Sequence, residues 1–428
     1  MVSTARTSEI SRPRKPIFMG WKVVGASSVV WALQSLVWVQ GYGNLAVELR
    51  RQFGWSKTFF SVVFAATRAE IALMGPAQGK AIAQRGITTV MRVGAVFTFL
   101  GFLAVSQVSG TTAFFIAMLF LAVGMSLVGF LTISSSTVKW FERKRARALS
   151  IQTMGFALGG FAAPVIVAGY NLIGWRWTTA LSGAVLAAVA WWGAGISGRD
   201  RVEMGEHVDG IEHPEDLPPL ARAEGVSDQH FTASEAFRTR AFWMISFGHG
   251  SALVVVSASM AHLALYLTED RSFSAGRAAL IAGLVPMFQL IGTVLGGSLG
   301  DRFNKRLIAG VAMWVHGVGL LLLTWVEHSA AIGAFVVMHG LAWGIRGPLM
   351  QAIRADYFGS TDYARILGWS SIIITIGAMA GPLLAGLLAD STGNYRLGFT
   401  LVAGLAIFGT VFWILASPPA PPIRSASE

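Results

Sequence analysis

The chain has 428 residues, of which 54% are hydrophobic and 13% are charged, and it contains no cysteine. Soluble domains carry about 25% charged residues, so this composition excludes an ordinary water-soluble protein. The absence of cysteine excludes disulfides and thiolate metal sites. A net charge of +11 would suggest nucleic acid as the partner of a soluble protein. In an apolar chain it reflects membrane topology instead, and no nucleic-acid partner is expected.

Twelve apolar stretches recur from Ile17 to Ala416, each about 20 residues long and sufficient to cross a bilayer. They predict spans over 19–41, 58–80, 88–108, 111–138, 147–172, 175–197, 241–267, 275–298, 305–326, 329–352, 363–389 and 395–416. Residues 1–18 form a basic N-terminal tail, because the first apolar stretch is too long for a cleaved signal. Residues 417–428 form a C-terminal tail. The predicted fold class is an all-α integral membrane protein with twelve transmembrane helices.

The one long polar interval, 199–240, holds ten acidic residues and predicts a linker between bundles at 19–198 and 241–416. With the N-terminus in the cytoplasm, 24 of the 33 lysines and arginines fall on the cytoplasmic side and seven in external loops. When the five arginines of the linker are left out, 19 lysines and arginines remain on the cytoplasmic side against seven in external loops. The positive-inside rule therefore predicts that both termini and the linker are cytoplasmic. We expect a multi-pass protein of a bacterial inner membrane.

The two halves read as copies of one six-helix unit. An offset of 218 residues pairs helix starts, a loop glycine and a mid-span proline: Ser56 with Ser274, Gly79 with Gly297, Arg147 with Arg365, Gly159 with Gly377, and Pro164 with Pro382. One offset that fits so many special positions predicts two pseudo-symmetric bundles related by an axis along the membrane normal.

A glycine-rich stretch with charged residues at its end follows the eighth span: Gly297-Ser-Leu-Gly-Asp301-Arg302-Phe-Asn-Lys305-Arg306. Together with the duplicated arrangement, it resembles the cytoplasmic loop signature of the major facilitator superfamily, G-x-L-x-D-R-x-x-K/R. The resemblance implies the major facilitator fold and a cytoplasmic gate that uses Asp301, Arg302 and Lys305. Ala83 stands where the first half would carry the acid, so no carboxylate gate contact is expected there.

Several stretches resemble the monocarboxylate and oxalate/formate porter branch of that superfamily. They are Phe53-Gly-Trp-Ser56, Trp140-Phe141, Arg354-Ala-Asp-Tyr-Phe-Gly359, Gly381-Pro382 and Gly393-Asn-Tyr-Arg396. Members of the branch tend to carry a basic residue, often with an acid, inside span eight. Here that span offers only Gln289 and Thr293 as polar side chains at depth. The usual anion anchor is absent, so the resemblance alone does not give the substrate.

Arg346 in span ten is the first candidate for substrate binding, because ionisable groups at membrane depth are costly and mark functional sites. Arginine stays charged and binds carboxylates through two parallel hydrogen bonds. His339, Trp343 and Met350 share its helix face. The superfamily lines its cavity with spans one, four, seven and ten, so the resemblance places this stripe beside the substrate. The alternative is that Arg346 pairs with a carbonyl or carboxylate of another helix and only locks the bundle.

Arg68 and Glu70 in span two are the other charged residues at depth. They lie about 200° apart around a helix and so cannot pair with each other. Arg68 would be a second anion contact, and Glu70 would carry the coupling proton. The alternative for both is an interhelical salt bridge.

Uncharged and titratable side chains complete the candidate set. Trp31, Gln34 and Trp38 share a face of span one and predict a cavity wall, with packing as the alternative. Gln152 and Gln289 would add uncharged hydrogen bonds. His249 and His262 in span seven are candidates for proton coupling, whereas His316 lies in span nine, which the superfamily places peripherally, and is interpreted as structural.

These residues favour a secondary transporter that moves a small organic anion, such as a monocarboxylate, together with protons by alternating access. The alternatives are an exporter of amphipathic metabolites or drugs, favoured by the many Trp and Phe residues, and a membrane sensor that has lost flux. No catalytic constellation, metal site or cofactor motif is found, so an enzyme is not expected. We expect a monomer in the lipid bilayer.

Overall fold

The computed structural model describes residues 17–211 and 230–422, and every regular element within these ranges is helical. In the first half the helices are Met19–Gln34, the π-helix Ser35–Gln40, Gly41–Phe53, Lys57–Ser106, Thr111–Val128, Phe130–Trp140, Arg145–Phe161, Ala163–Ser197 and the short 3₁₀ turn Val208–Gly210. In the second half they are Ala233–Phe237, Arg240–Glu269, Ala275–Arg302, Lys305–Trp325, Ser329–Phe358, Tyr363–Thr392 and Arg396–Leu415.

Two of these helices contain a glycine that divides them. Gly86 has φ 77° and ψ 163° within Lys57–Ser106, and Gly174 has φ 78° and ψ 158° within Ala163–Ser197. Such positive φ values favour glycine, because a Cβ is strained there. Each glycine therefore separates one membrane crossing from the next.

Ten helical stretches of the described chain are long and apolar enough to cross a membrane. Division at Gly86 and Gly174 gives twelve crossings, as the hydropathy predicts, and Arg145–Phe161 joins the segment before Gly174 as one crossing. We name them α1 to α12: Met19–Phe53, 57–85, 87–106, Thr111–Trp140, 145–173, 175–197, Arg240–Glu269, Ala275–Arg302, Lys305–Trp325, Ser329–Phe358, Tyr363–Thr392 and Arg396–Leu415. Helices α1–α6 form the first bundle and α7–α12 the second.

The residues that the 218-residue offset pairs hold equivalent positions in the two bundles. Ser56 and Ser274 both cap their helices, α2 through Phe59 N and α8 through Arg277 N. A Cβ at Gly159 would lie 2.0 Å from the carbonyl oxygen of Ala32, and one at Gly377 would lie 2.2 Å from that of Gly250. The pairs α5–α1 and α11–α7 thus cross at a similarly close distance. The internal repeat of the sequence is therefore also a repeat of the structure.

The described ends of the linker contact different bundles. Asp209 is buried and accepts hydrogen bonds from the backbone N–H groups of Glu142, Arg143 and Lys144 at 2.8–3.2 Å. Phe231 N donates to Phe358 O at 3.0 Å. We call the end of the molecule that carries these contacts the linker face.

Candidate functional site

A cavity of about 360 Å³ lies between the two bundles. Its walls come from α1, α2, α4 and α5 of the first bundle and from α7 and α11 of the second. The polar and charged side chains in the lining are Gln34, Arg68, Gln78, Ser126, His249 and Ser371. A larger groove of about 730 Å³ lies between α8, α9 and α10, but Asn304 is its one polar lining residue. The cavity between the bundles is therefore the candidate site.

Helix α4 is broken where it borders this cavity. Gly129 has φ −87° and ψ −157° and separates Thr111–Val128 from Phe130–Trp140. The break leaves carbonyl groups without the hydrogen bonds of a continuous helix, and an unpaired carbonyl inside a membrane costs free energy. Gln34 Nε2 donates to Met125 O at 2.6 Å, and Gln78 Nε2 donates to Ser126 O at 2.7 Å. Side chains of α1 and α2 thus stabilise the broken helix.

Aromatic side chains form the wall next to the break. Trp31 contacts Phe130 and Phe156, with ring centroids 5.6 and 5.4 Å apart. Trp38 lies within the π-helix Ser35–Gln40 and lines the same cavity. Such π-helical turns occur frequently at functional sites. The structure therefore brings Trp31, Gln34 and Trp38 to one cavity, although the π-helical turn changes their spacing from that of a regular α-helix.

Arg68 and Glu70 point in different directions from α2. Arg68 lines the cavity, and its guanidinium lies 4.8 Å from the centroid of the Phe64 ring. Among the described residues no carboxylate pairs with it. Glu70 is outside the lining, and its Oε2 is buried without a hydrogen-bond partner in the described chain. The cavity thus contains a cation whose charge no described acid neutralises.

His249 lines the cavity from the second bundle, and Arg354 lies behind it. Both side chains are buried, with 7% and 1% of their surface exposed. The Arg354 Nη1–Nδ1 distance is 3.2 Å, and because a guanidinium can only donate, Nδ1 of His249 must be the acceptor. His249 is therefore neutral here and carries its proton on Nε2. Arg354 also donates to Met350 O and Ser370 Oγ.

Arg346 lies away from the cavity, inside the second bundle, and is 1% exposed. It donates to His316 Nε2 at 2.9 Å and to Ala252 O at 3.2 Å. His316 Nδ1 lies 3.0 Å from Nδ1 of His339. In this conformation the stripe predicted from α10 does not line the cavity, because its arginine is held by α7 and α9. This arrangement matches the alternative in which Arg346 locks the bundle.

Other predicted site residues also lie outside the cavity lining. Gln152 bonds Thr137 and Ser134 within the first bundle. Gln289 is buried where α8 packs on Gly344 of α10, and Trp343 packs against the core of the second bundle. His262 bonds Pro382 O at 3.0 Å and Tyr395 Oη at 3.1 Å. Because these side chains do not line the cavity, their roles in transport stay predictions.

At the linker face, charged contacts join the two bundles. Asp301 of α8 accepts hydrogen bonds from Ala146 N and Arg147 N, at 2.9 and 3.3 Å, and so caps α5 of the other bundle. Asp356 of α10 pairs with Arg145 across the interface and with Lys305 at 2.9 Å within its own bundle. Arg302 is exposed, and no ion pair is found for it in the described part of the chain. Asp301 and Lys305 thus lie at an interface that closes the linker face.

Sequence reasoning missed Arg145, Asp356, Arg354, Gln78 and Gly129 as members of these sites. Arg354 and Asp356 were placed beyond span ten because hydropathy falls there, but α10 continues to Phe358. A basic residue eight positions after Arg346, about 80° away around the helix, was the available signal. The Arg145–Asp356 pair joins residues 211 positions apart, and no local pattern predicts such a contact.

Comparison with known proteins agrees with this architecture. The profile of the Major Facilitator Superfamily matches residues 33–288 and 245–428. The chain is 26% identical over 429 residues to monocarboxylate transporter 11 of Homo sapiens, covering 96% of this chain and 86% of the relative. It is 23% identical over 400 residues to the gallate transporter of Pseudomonas putida, covering 88% and 87%.

The fold is also that of solved transporters. The crystal structure of a bacterial homologue of the iron transporter ferroportin, in an outward-facing state, superposes with a TM-score of 0.71. It is 15% identical and covers 93% of this chain and 99% of that chain. The profile match, the fold and the relatives, which are transporters rather than enzymes, lead to one conclusion. The chain belongs to the Major Facilitator Superfamily and is a multi-pass membrane transporter related to the monocarboxylate transporters.

Proposed function

We propose that this protein is a secondary active transporter that moves a small organic anion together with protons by alternating access. The observation that carries the proposal is Arg68, a guanidinium in the cavity between the bundles without a carboxylate partner among the described residues. A charge at membrane depth is costly unless it is paired, so a substrate carboxylate is the expected partner. The names of the two relatives, monocarboxylate and gallate transporters, are those of carboxylate carriers.

The closed linker face supports alternating access. Glycines hold the bundles together there: a Cβ at Gly79 would lie 2.5 Å from Ala364 O, and one at Gly297 would lie 3.0 Å from the Cα of Arg147. With the Asp301 and Asp356 contacts, both interfaces are closed on this side. We propose that the linker face is cytoplasmic, as the lysine and arginine distribution predicts, so that this conformation is outward-facing.

Glu70 is the proposed proton carrier. Its Oε2 is buried without a hydrogen-bond partner in the described chain, and a desolvated carboxylate favours its neutral, protonated form. A carboxyl group on α2 two residues from Arg68 can change protonation when a substrate anion arrives beside that arginine.

Uptake of radiolabelled acetate, L-lactate, benzoate and gallate into proteoliposomes, with and without an inward proton gradient, tests the proposal. We expect accumulation of at least one acid that the gradient increases. Glu70→Gln should abolish gradient-driven accumulation but spare exchange, whereas Glu327→Gln, at a carboxylate that is 80% exposed, should change neither. No flux of any of these acids, or equal loss of accumulation and exchange in Glu70→Gln, would contradict the respective assignment.

Export of amphipathic metabolites is a second candidate function. The Trp31, Phe130 and Phe156 wall favours it, because aromatic surface binds planar apolar bodies. Inside-out vesicles loaded by a reversed gradient would distinguish the two directions. A sensor would show binding without flux in either assay.

A further inference from the structure

The second half of α4 begins at the cavity. Gly129, Phe130 and Leu131 belong to the cavity lining, and the helix Phe130–Trp140 has no side-chain cap. The first N–H groups of a helix lack intrahelical partners, and its first internal hydrogen bond here is Ile133 N to Gly129 O. No acceptor for the N–H groups of Phe130, Leu131 and Thr132 is found in the described chain. These amides form the positive end of a helix dipole.

An independent donor comes from the other bundle. His249 is 7% exposed, lines the same cavity, and its Nε2 has no partner among the described residues. The hydrogen bond from Arg354 fixes the proton on Nε2, as described above. The buried Arg354 guanidinium contacts no described carboxylate, so its positive charge favours an anion in front of His249.

The two groups of donors lie at a similar distance from the linker face. Gly129 is 11 residues from the linker-face end of α4 at Trp140, and His249 is nine residues from that of α7 at Arg240. At 1.5 Å per residue along the helix, these positions are about 16 and 14 Å from the linker-face ends of α4 and α7. Arg68 is 17 residues from Arg85, about 25 Å from the linker-face end of α2, and so lies farther from the linker face than both groups of donors.

We propose that the carboxylate of the substrate binds in this cavity between the first-turn amides of Phe130–Trp140 and the Nε2–H of His249, with Arg354 as the positioning residue behind the histidine. Arg68 is then the outer contact that the anion meets first. This inference rests on the proposed function and specifies where in the same cavity the anion binds. We call this position between the α4 amides and His249 the seat. Each bundle contributes one side of the seat, so the rocking of the bundles separates the two groups of donors.

Two matched pairs of variants test the seat by equilibrium binding of radiolabelled acetate, L-lactate, benzoate and gallate to purified full-length protein. His249→Leu removes the Nε2 donor, whereas His249→Gln keeps a neutral donor. Phe130→Pro removes one first-turn N–H at a position where proline is compatible with a helix, whereas Phe130→Ala removes the ring and keeps the N–H. Gly129 is already extended, as a residue before proline requires.

We expect His249→Leu to raise Kd by about tenfold or more, since hydrogen bonds to charged groups are strong, and His249→Gln to stay within about threefold of wild type. Phe130→Pro should bind several-fold more weakly than Phe130→Ala. Wild type should bind benzoate and not its neutral counterpart benzamide.

The outcomes separate the inference from the proposed function. If wild type binds none of the four acids, both are overturned. If wild type binds an acid and both pairs bind it equally well, or if benzamide binds as tightly as benzoate, only the seat is overturned. Thermal unfolding of each variant shows whether it folds. If Phe130→Pro does not fold, the difference in Kd between His249→Leu and His249→Gln tests the seat.

Discussion

Buried polar side chains of the second bundle determine each other's protonation. Arg346 can only donate, so Nε2 of His316 accepts and the proton of a neutral His316 lies on Nδ1. That nitrogen donates to Nδ1 of His339, and the remaining proton of His339 lies on Nε2, which is buried without a described partner. One guanidinium thus fixes two imidazole tautomers, and removal of any member leaves another unpaired.

Arg346→Gln should therefore destabilise the protein and leave anion binding unchanged. The variant leaves His316 Nε2 buried without its donor, which costs about 1–3 kcal/mol. Thermal unfolding in detergent measures the loss, and uptake kinetics measure KM for the transported acid. Arg396→Gln is the matched control, because this arginine is exposed and its ion pair with Glu327 contributes little. A raised KM without a change in unfolding temperature would indicate instead that Arg346 binds the substrate.

At the scale of the helix, glycines decide how closely neighbouring helices pack. Gly159 and Gly377 lie at equivalent crossings, and a Cβ at either would lie within 2.2 Å of a backbone oxygen. Neither oxygen belongs to a flexible side chain that could move away. These positions therefore require glycine for the approach of two backbones.

Gly377→Ala should destabilise the second bundle, because α7 and α11 must separate to admit the methyl group; overpacking of this kind costs about 1–3 kcal/mol. Gly404→Ala is the control, since a Cβ at Gly404 meets nothing within 4 Å. Alanine in a helix is favoured over glycine by about 0.5–1 kcal/mol, so that variant should be slightly more stable. Thermal unfolding of both variants checks the contrast. Equal stability would indicate that the helices separate without cost.

The helices could be predicted from the sequence more completely than the site. Apolar length and turn residues predicted all twelve crossings, because lipid requires long apolar helices. The break at Gly129 was not predicted, since one glycine in an apolar stretch is common in membrane helices. The position of Arg346 was not predicted either, because helical periodicity shows which residues share a face but not which neighbour that face contacts.

For the whole molecule, the charged contacts at the linker face oppose its opening. Asp356 joins Arg145 of the first bundle to Lys305 of the second, and all three side chains are largely buried. Removal of this carboxylate leaves two buried cations without the acid that neutralises them. The closed conformation should therefore lose stability relative to the conformation that opens at this face.

Asp356→Asn should increase access to the cavity from the linker face. The natural chain contains no cysteine, so Ile374→Cys in the cavity lining provides a single labelling site. We expect faster reaction with a membrane-impermeant thiol reagent added at the linker face when Asp356→Asn is combined with Ile374→Cys. Glu142→Gln, at an exposed acid near the same face, should leave the rate unchanged. An unchanged rate in Asp356→Asn would show that this carboxylate does not hold the face closed.

The repeat also predicts the effect of adding the missing acid. Ala83 corresponds to Asp301, and the amides Ala364 N and Arg365 N correspond to those that Asp301 caps. Ala83→Asp should add a carboxylate at the start of α11, favour the closed linker face and slow exchange, whereas Ala83→Asn, without the charge, should have a smaller effect. Exchange rates in proteoliposomes measure the difference. Faster exchange in Ala83→Asp would contradict the equivalence of the two positions.

In the described chain a carboxylate bridges the bundles at only one of their two interfaces on the linker face, so the bundles should separate first at the other interface. The α5–α8 interface carries Asp301, whereas the α2–α11 interface relies on the contacts of Gly75 and Gly79 with Gly368 and Ala364. These close contacts between backbones can shift without leaving a buried charge unpaired. The first passage between the cavity and the linker face should therefore open between α2 and α11, so that the substrate passes sideways between these two helices rather than along the central axis.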